Sequence, residues 1–265
     1  MNVYIVLSFL AVLGVSSDRV KLRVATWNLD GLNDPVPNLA ALLGIDKADC
    51  NTYPDMIFLA IQGITREKFN GNWKTAVNDA LKSKLYRLYG SLQHQDIGHF
   101  IVCHEDHFSK FAGTRKDLYT PSKDSKSIMV HSCFAWCEMK FTIIHGHVPS
   151  SEDDSTYYQT LKEKIDANSN YNYNFILGDL KDFVSKLPSD GWVEQTGTTR
   201  TTTPNLSPPQ GTNRVLYKSN RKVELLAYEK VNSYTSSTHQ PVMAEYYVHF
   251  NTEKPPPTDF GVYKP

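Results

Sequence analysis

Three features that often identify a class of protein are missing from this chain of 265 residues: an excess of charge, an internal repeat and a low-complexity region. The 28 basic and 28 acidic residues cancel, so bulk charge gives no long-range attraction to nucleic acid or to an anionic membrane. The lack of a repeat argues against a solenoid or a propeller. The remaining composition is ordinary for a globular protein of one domain, or at most two.

Long hydrophobic runs are also missing, apart from one at the N-terminus. Residues 3–15 are apolar, and the charged stretch "DRVKLR" begins soon afterwards at Asp18. A run of this length is too short to span a bilayer and is typical of a signal-peptide core, although a buried N-terminal strand is the alternative. We therefore expect residues 1–17 to be a signal peptide and the mature protein to be secreted and extracellular, without stable insertion into a membrane.

Cysteine is scarce, and a secreted protein can join its cysteines in disulfides. Four cysteines allow three connectivities, which the sequence leaves open. Cys133 and Cys137 are not expected to bond to each other, because four residues of strand span roughly 13 Å. At the other end of the chain, residues 251–265 are rich in proline and are predicted to be an extended tail. The folded domain is thus expected to occupy residues 18–250.

Short apolar runs with the composition of strands recur along the chain, whereas only two stretches have the periodicity of an amphipathic helix. The helical stretches are residues 69–85, with Trp73, Val77 and Leu81 on one face, and residues 154–165. The strand-like runs are "LRVATWN", "DMIFLAIQG", "HFIVCHE", "SIMVHSCFAW", "KFTIIHGHV", "NFILGDL", "NRVLYKS" and "PVMAEYYVHF". Many strands with few helices predict an α+β protein with two packed sheets and outer helices.

Polar side chains stand where several of these apolar runs end. Any one of them has a structural explanation, such as a turn or a hydrogen-bonded histidine, but ligands collect where strand ends converge. The polar ends are Asn28 and Asp30 in "TWNLDG", Gln62 in "AIQG", His145 and His147 in "IIHGHVPSS", Asp179 in "LGDLK" and His239 in "STHQPV".

The ordered motifs "WNLDG", "PDMIFLAIQG", "HVPSS", "ILGDL", "NRVLYKS" and "THQPV" resemble those of the endonuclease/exonuclease/phosphatase superfamily. Within it, the chain is most similar to the inositol polyphosphate 5-phosphatases, over roughly Arg19 to Phe250. The resemblance implies a four-layer sandwich, in which outer helices cover two packed mixed β-sheets. It also implies descent from a Mg²⁺-dependent phosphoesterase.

The resemblance further implies a role for individual residues. Asn28 matches an asparagine that helps to hold metal and phosphate, and His147 matches a residue that contacts the scissile phosphate. Asp179 matches the aspartate that orients the attacking water, and His239 matches the histidine of the last motif. The candidate metal ligands are Asp30 and Gln62, and the candidate substrate-binding residues are Lys181, Asn213 and Arg214.

Four positions depart from the family's pattern. Gln62 replaces a metal-binding glutamate, and Mg²⁺ prefers hard anionic oxygens. Asn213 replaces an aspartate that fixes the tautomer of the histidine, and Thr238 replaces the aspartate before that histidine. Lys181 replaces an asparagine, and its cation either offsets the missing metal or makes an anion-binding pocket. The catalytic residues are therefore interpreted as vestigial, with Mg²⁺ binding weak or lost.

The chain also resembles the bed-bug salivary nitrophorin branch of this family, in "NLAALLG", "AIQG" and "RVLYKS". That branch binds haem and nitric oxide, and a cysteine thiolate holds its haem iron. Trp73 occupies the matching position here, and no cysteine lies between Cys50 and Cys103. Haem binding therefore requires a different ligand, such as a histidine.

Two functions from different classes remain open at this point. The first is a secreted, non-catalytic binding protein for a small anionic ligand, such as an inositol phosphate or a phosphoinositide head group, or for haem. The second is a residual Mg²⁺-dependent phosphatase of inositol polyphosphates or phosphoinositides. Binding to nucleic acid is not expected, because no basic stripe with interleaved aromatic residues appears.

Overall fold

The computed structural model describes residues 19–32, 34–35, 38–119, 128–148, 155–166, 170–180, 191–194, 213–234 and 236–250. The predicted signal peptide, the predicted tail and Lys181 lie outside the described residues. No helix in the described ranges has the length and apolar character needed to cross a membrane.

Two six-stranded sheets form the framework of the described chain. Sheet A has the order β11 (Val223–Lys230), β12 (Val242–His249), β1 (Arg19–Asn28), β2 (Met56–Gln62), β4 (Ile97–His104) and β3 (Tyr86–His94). Sheet B has the order β5 (Phe111–Tyr119), β6 (Ile128–Trp136), β7 (Met139–His147), β8 (Tyr173–Asp179), β10 (Asn213–Ser219) and β9 (Val193–Glu194). The helices are α1 (Leu39–Leu43), α2 (Arg66–Lys68), α3 (Lys74–Leu81), α4 (Glu105–Phe108) and α5 (Ser155–Asp166), with a 3-10 turn at Cys50–Thr52 and a π-helical turn at Phe69–Trp73.

The two sheets pack face to face through an apolar core built from alternate side chains of their strands. Phe58 of sheet A lies at the centre of this core. Its ring meets Phe134, Phe141 and Phe175 of sheet B nearly edge to face, with centroids 5.7, 6.3 and 6.0 Å away. Separate apolar clusters cover the outer face of sheet A beneath α1 and α3 and the outer face of sheet B beneath α5. The predicted α+β sandwich of four layers is confirmed.

All eight strand-like runs of the sequence are strands. Four further strands, β3, β5, β9 and β11, were not predicted. They lie at or next to the edges of the sheets, and β3, β5 and β11 contain charged or half-exposed residues that blur the alternation of a strand. Edge strands are paired on one side only and need fewer apolar residues than central strands.

The predicted helix over residues 69–85 exists, but its limits differ. Helical structure begins at Arg66, where Thr65 accepts a hydrogen bond from the Lys68 backbone N–H, and α3 ends at Leu81. The predicted apolar face is confirmed, because Trp73, Val77 and Leu81 are buried. The second helix, α5, buries Tyr157 and Leu161 against sheet B.

Two paired glycines set the spacing of β7 and β8 where these strands end. Gly146 lies opposite Gly178 in the parallel register. A Cβ atom on Gly178, which has φ +141, would lie 1.8 Å from the Gly146 carbonyl oxygen. A Cβ atom on Gly146 would lie 2.0 Å from the hydroxyl oxygen of Tyr157 in α5. Only glycine permits this close approach, so it fixes the position of the histidines beside Gly146.

The four cysteines all lie in described ranges, and none of them forms a disulfide. Cys103 and Cys133 are buried in strands, Cys50 is exposed, and Cys137 is half-buried in the turn after β6. The disulfides that secretion permits are therefore absent from this part of the chain.

Candidate functional site

The polar strand ends converge at one edge of the sandwich, which we call the rim. Parallel pairing places Asn28 beside Gln62 in sheet A and His147 beside Asp179 in sheet B. The antiparallel strand β10 begins with Asn213 opposite Asp179. All these side chains continue the alternation of the apolar core, so they point into the space between the sheets.

A hydrogen bond joins the two sheets at the centre of the rim. Asn28 Nδ2 donates to Asp179 Oδ2 at 2.7 Å, and Asn28 Oδ1 accepts from the Asp30 backbone N–H at 2.9 Å. Asp179 is buried, with 2% of its surface exposed, and its Oδ1 makes no hydrogen bond to a residue in the described ranges. The rim therefore holds one buried carboxylate that has a single oxygen left to accept a donor.

Gln62 is fully buried, and its amide nitrogen is bound inside the protein rather than at the rim. Gln62 Nε2 lies 2.9 Å from Thr26 Oγ1 and 2.6 Å from His145 Nε2. Both N–H groups of the amide are thereby used, which leaves the His145 Nε2 as acceptor and its Nδ1 protonated. Burial lowers the pKa of His145 well below its ordinary value, so the imidazole is neutral.

The loop before β12 closes the rim on the side of sheet A. Thr238 Oγ1 donates to Asp30 Oδ2 at 2.8 Å, and Ser237 Oγ donates to the Asn28 carbonyl at 2.9 Å. The His239 backbone N–H donates to Ser237 Oγ at 3.1 Å, and its carbonyl accepts from Trp27 Nε1 at 2.7 Å. These bonds hold half-buried His239 beside the end of β1.

The two residues at the start of β10 point in opposite directions. Asn213 is buried at the rim, where its Nδ2 donates to the Gln240 carbonyl at 3.1 Å and its Oδ1 has no hydrogen-bond partner among the residues that the structure describes. Arg214 lies on the other face of the strand, which it shares with Leu216 under α5. The structure therefore does not bring Arg214 into the space between the sheets with the other predicted residues.

His147 is half-buried and faces a residue that the sequence did not indicate. Its Nδ1 lies 3.5 Å from Asp96 Oδ2, in the turn between β3 and β4. The Asp96 carbonyl also accepts a hydrogen bond from the Ile64 N–H at 3.0 Å, which places this turn next to the loop after Gln62. Asp96 follows no apolar strand, and only the hairpin turn between two strands brings it to the rim. Lys181 directly follows Leu180, and its predicted role remains a prediction.

The residues that the structure describes do not fit the Mg²⁺ ion that the fold implies. No group of three or more His, Cys, Asp or Glu side chains is arranged among them to hold a metal. Asp179 has one oxygen committed to Asn28, and exposed Asp30 is bound to Thr238. Gln62 supplies a neutral amide where a carboxylate is expected. Mg²⁺ requires octahedral coordination by oxygens, usually with one or two carboxylates.

The position expected for a haem ligand is also filled by protein. Trp73 is fully buried, and its ring lies 6.2 Å from that of Trp27 in an edge-to-face contact. Phe69 in the same turn stacks on Phe100 at 4.4 Å. These rings pack this face of the helix against sheet A. The residues at this position therefore do not fit a haem.

No protein-family model and no curated protein sequence matches the chain. Solved structures do match it. The Cimex nitrophorin ferrous NO complex has a TM-score of 0.70 at 20% identity, over 88% of this chain and 99% of that one. The inositol polyphosphate 5-phosphatase domain of SPsynaptojanin, in complex with inositol (1,4)-bisphosphate and calcium, has a TM-score of 0.68 at 16% identity, over 88% and 85%.

A third similar structure is D. rerio TDP2 complexed with a single-strand DNA product. Its TM-score is 0.56 at 15% identity, over 85% of this chain and 98% of that one. These likenesses show that the chain has the endonuclease/exonuclease/phosphatase fold. The resemblance predicted from the sequence motifs, to inositol polyphosphate 5-phosphatases and to nitrophorin, is confirmed at the level of structure.

Proposed function

We propose that this chain is a secreted, non-catalytic binding protein that uses the rim of a former phosphatase site. The observation that supports this function best is the environment of Gln62. Its amide replaces the carboxylate of the resembling family, and both of its N–H groups are bound to neutral partners, Thr26 and His145. A metal ion would gain no charge stabilisation from any of these three side chains.

The loss of charge argues against turnover. A phosphomonoesterase must neutralise the charge that develops on the phosphoryl group, and a metal ion supplies most of that stabilisation. Removing one such group typically lowers kcat by about 100-fold or more. Gln62, Asn213 and Thr238 each replace an acidic residue of the resembling family, so their effects on the metal and on the histidine combine.

The proposed ligand is a small phosphorylated anion, such as an inositol phosphate or a phosphoinositide head group. His147 and His239 flank the rim, and both imidazoles can donate hydrogen bonds to phosphate oxygens. The similar SPsynaptojanin structure contains inositol (1,4)-bisphosphate. Lys181, two residues after Asp179, is proposed to supply the cation that a metal would otherwise contribute.

Magnesium titration tests whether the metal site is lost. By calorimetry, the wild-type protein is expected to give no saturable heat with Mg²⁺, and no phosphate should be released from an inositol polyphosphate. The restored variant Gln62→Glu, Lys181→Asn, Asn213→Asp, Thr238→Asp should gain metal binding, because it recovers three carboxylates. The same variant with Asp179→Asn is the control and should bind less. Micromolar affinity of the wild-type protein for Mg²⁺ would contradict the proposal.

Anion binding is tested with inositol hexakisphosphate. We expect Lys181→Ala to weaken binding by about tenfold, the typical effect of losing a charge-assisted hydrogen bond. Lys222→Ala is the matched control. Lys222 is exposed just before β11, at the end of sheet A opposite the rim, and pairs with Glu224. Equal affinities of the wild-type protein and Lys181→Ala would exclude a part for Lys181 in binding.

A residual phosphatase is the second candidate, and the bond between Asn28 and Asp179 favours it. This contact holds the buried carboxylate of Asp179, which matches the aspartate that orients water in the resembling family. If catalysis remains, phosphate release should be lost in Asp179→Asn and should depend on added Mg²⁺. Release that persists in Asp179→Asn indicates a contaminating enzyme.

A further inference from the structure

A groove of about 710 Å³ opens at the end of sheet A that lies opposite the rim. It is lined by Asp55, just before β2, by Tyr86, at the start of β3, and by residues of the 3-10 turn beginning at Cys50 and of the α3–β3 turn. The volume is within the range of pockets that bind small molecules. None of the residues considered at the rim contributes to it.

Flat side chains line this groove. Tyr86 and His104 meet edge to face, with centroids 5.2 Å apart and planes at 89°. The half-buried ring of Tyr53 also lines the groove, and the ammonium group of Lys84 lies at its hydroxyl edge, 5.4 Å from the ring centroid. Such surfaces favour a planar aromatic group, which stacks on a ring and accepts a cation at its face.

Two lysines bring positive charge that other side chains neutralise only weakly. Lys84 Nζ donates its hydrogen bond to the neutral phenol of Tyr53 at 3.0 Å. Lys47 Nζ is 3.9 Å from Glu245, which already has closer cationic partners in Arg23 at 2.7 Å and Lys21 at 3.0 Å. The groove therefore offers two ammonium groups to an anion.

The two acidic side chains that line the groove are either bound to the protein or exposed to water. Asp55 is committed to the protein, since its Oδ2 accepts from the Lys21 backbone N–H at 2.6 Å and its Oδ1 lies 3.0 Å from His107 Nε2. Asp106 is 84% exposed at the mouth of the groove, where water screens its charge.

The wall also carries an unusual leucine. Leu85 is 63% exposed and has φ +57, a left-handed conformation that is strained for a non-glycine residue. Its backbone carbonyl accepts from the Glu105 N–H at 2.8 Å, which holds the turn in place. A large apolar side chain kept in a strained conformation at the edge of a groove is an additional contact surface for a ring.

From these observations we propose that the groove binds a planar aromatic ring joined to an anionic group, and specifically a nucleoside monophosphate. The base would lie against Tyr53 and Leu85, and the phosphate would lie between Lys84 and Lys47. This site is separate from the rim and does not depend on the function proposed for the rim.

Calorimetry with three probes tests the combination of ring and anion. AMP should bind saturably, whereas adenosine, which lacks the anion, and inorganic phosphate, which lacks the ring, should each bind at least about tenfold more weakly. Equal binding of phosphate and AMP would reduce the groove to a general anion site and overturn the proposal. Failure of AMP to saturate at millimolar concentration would overturn it as well. Saturating inositol hexakisphosphate should leave AMP binding unchanged, which separates this test from the test of the rim.

Substitutions at the two contact residues test their roles. Lys84→Ala should weaken AMP binding by about tenfold, because a charge-assisted hydrogen bond is lost. Lys82→Ala is the matched control, since Lys82 lies in the same turn but pairs with Asp79 outside the groove. Tyr53→Phe keeps the ring and should bind AMP within about threefold of the wild type, whereas Tyr53→Leu should lose at least tenfold. Unchanged affinity in both Lys84→Ala and Tyr53→Leu would overturn the proposal.

Cys50 gives an independent readout of occupancy, because it is the exposed cysteine and it lines the groove. AMP should slow alkylation of Cys50 by iodoacetamide at least severalfold, and Cys50→Ser should remove the rapid phase of labelling. Adenosine and phosphate at the same concentration should protect less. An alkylation rate that AMP does not change would contradict binding in this groove.

Discussion

Five polar side chains form a buried layer between the apolar core and the rim. They belong to five strands of the two sheets: Thr26, Gln62, His99, Ser132 and His145. His99 Nε2 lies 2.8 Å from Ser132 Oγ, and the rings of His99 and His145 are 6.2 Å apart. Burial keeps both histidines neutral, because their pKa values are lowered. The layer therefore offers no charge to a metal, but it makes the fold sensitive to acid.

The pKa of His99 leads to a prediction about stability. Burial, together with the charges of Lys116 and His131, lowers that pKa from 6.5 to about 3. Between these values the unfolded chain binds a proton that the folded chain does not, so the free energy of unfolding falls as the pH falls. His99 alone should lower the free energy of unfolding by roughly 2–3 kcal/mol between pH 7 and pH 4.5. Urea denaturation at both pH values measures it.

A substitution assigns this loss to the residue. The glutamine side chain of the His99→Gln variant can keep a hydrogen bond to Ser132 but does not titrate. The free energy of unfolding of this variant should therefore fall less between pH 7 and pH 4.5 than that of the wild type, by about the loss assigned to His99. His94→Gln, at a half-buried histidine where β3 ends, is the control and should keep the wild-type dependence. A His99→Gln variant with an unchanged pH dependence would show that the acid sensitivity arises elsewhere.

At the scale of elements, the ends of β7 and β8 are held by a close approach of α5. Gly146→Ala would place a methyl group 2.0 Å from the Tyr157 hydroxyl oxygen and 3.4 Å from Leu180. We expect a loss of about 1–3 kcal/mol in the free energy of unfolding, the usual cost of overpacking. Gly71→Ala is the control, because its added carbon would meet nothing within 4 Å. Thermal or urea denaturation measures both changes.

The cause of that loss can be isolated with a second substitution. Tyr157→Phe removes the hydroxyl group that the new methyl group would meet, so the double variant with Gly146→Ala should recover part of the stability. The two changes should therefore be non-additive in a double-mutant cycle, by roughly 0.5 kcal/mol or more. Additive effects would mean that α5 does not restrict the strand end at this point.

The strands at the centre of each sheet were predictable from sequence, and so were Gln62 and His145 of the buried polar layer, whereas its members His99 and Ser132 were not. An apolar run that stops at Asn28, Gln62 or Asp179 identifies both a strand and a polar end. His99 and Ser132 lie inside such runs, and the period of two does not reveal which face meets the other sheet. Arg214 was predicted to be a site residue, but the structure does not place it with the others. Side chains alternate between the two faces of a strand, so Arg214 lies on the other face of β10 from Asn213 although the two residues are adjacent in the sequence.

At the scale of the whole molecule, the first and last described strands pair with each other in the middle of sheet A. Arg19 lies opposite His249 and Thr26 lies opposite Val242, and β12 also pairs with β11 on its other side. Pairing strands that lie so far apart in the sequence costs loop-closure entropy before the contacts stabilise the chain, which predicts slow folding. The rim and the groove occupy opposite ends of this sheet. A substitution at the rim and one at the groove should therefore change the free energy of unfolding additively.

The same pairing predicts where the folded domain ends. Phe250 still packs on Trp136, with ring centroids 4.9 Å apart, whereas residues 251–265 are expected to form a tail. A chain that ends at Phe250 should keep its Tm within about 2 °C, since 1 kcal/mol shifts the Tm of a domain of this size by about 2–4 °C. A chain that ends before Val242 lacks a central strand of sheet A and should show no cooperative unfolding by circular dichroism. A shift of many degrees on removing only residues 251–265 would mean that the tail packs on the domain, and the predicted boundary would be wrong.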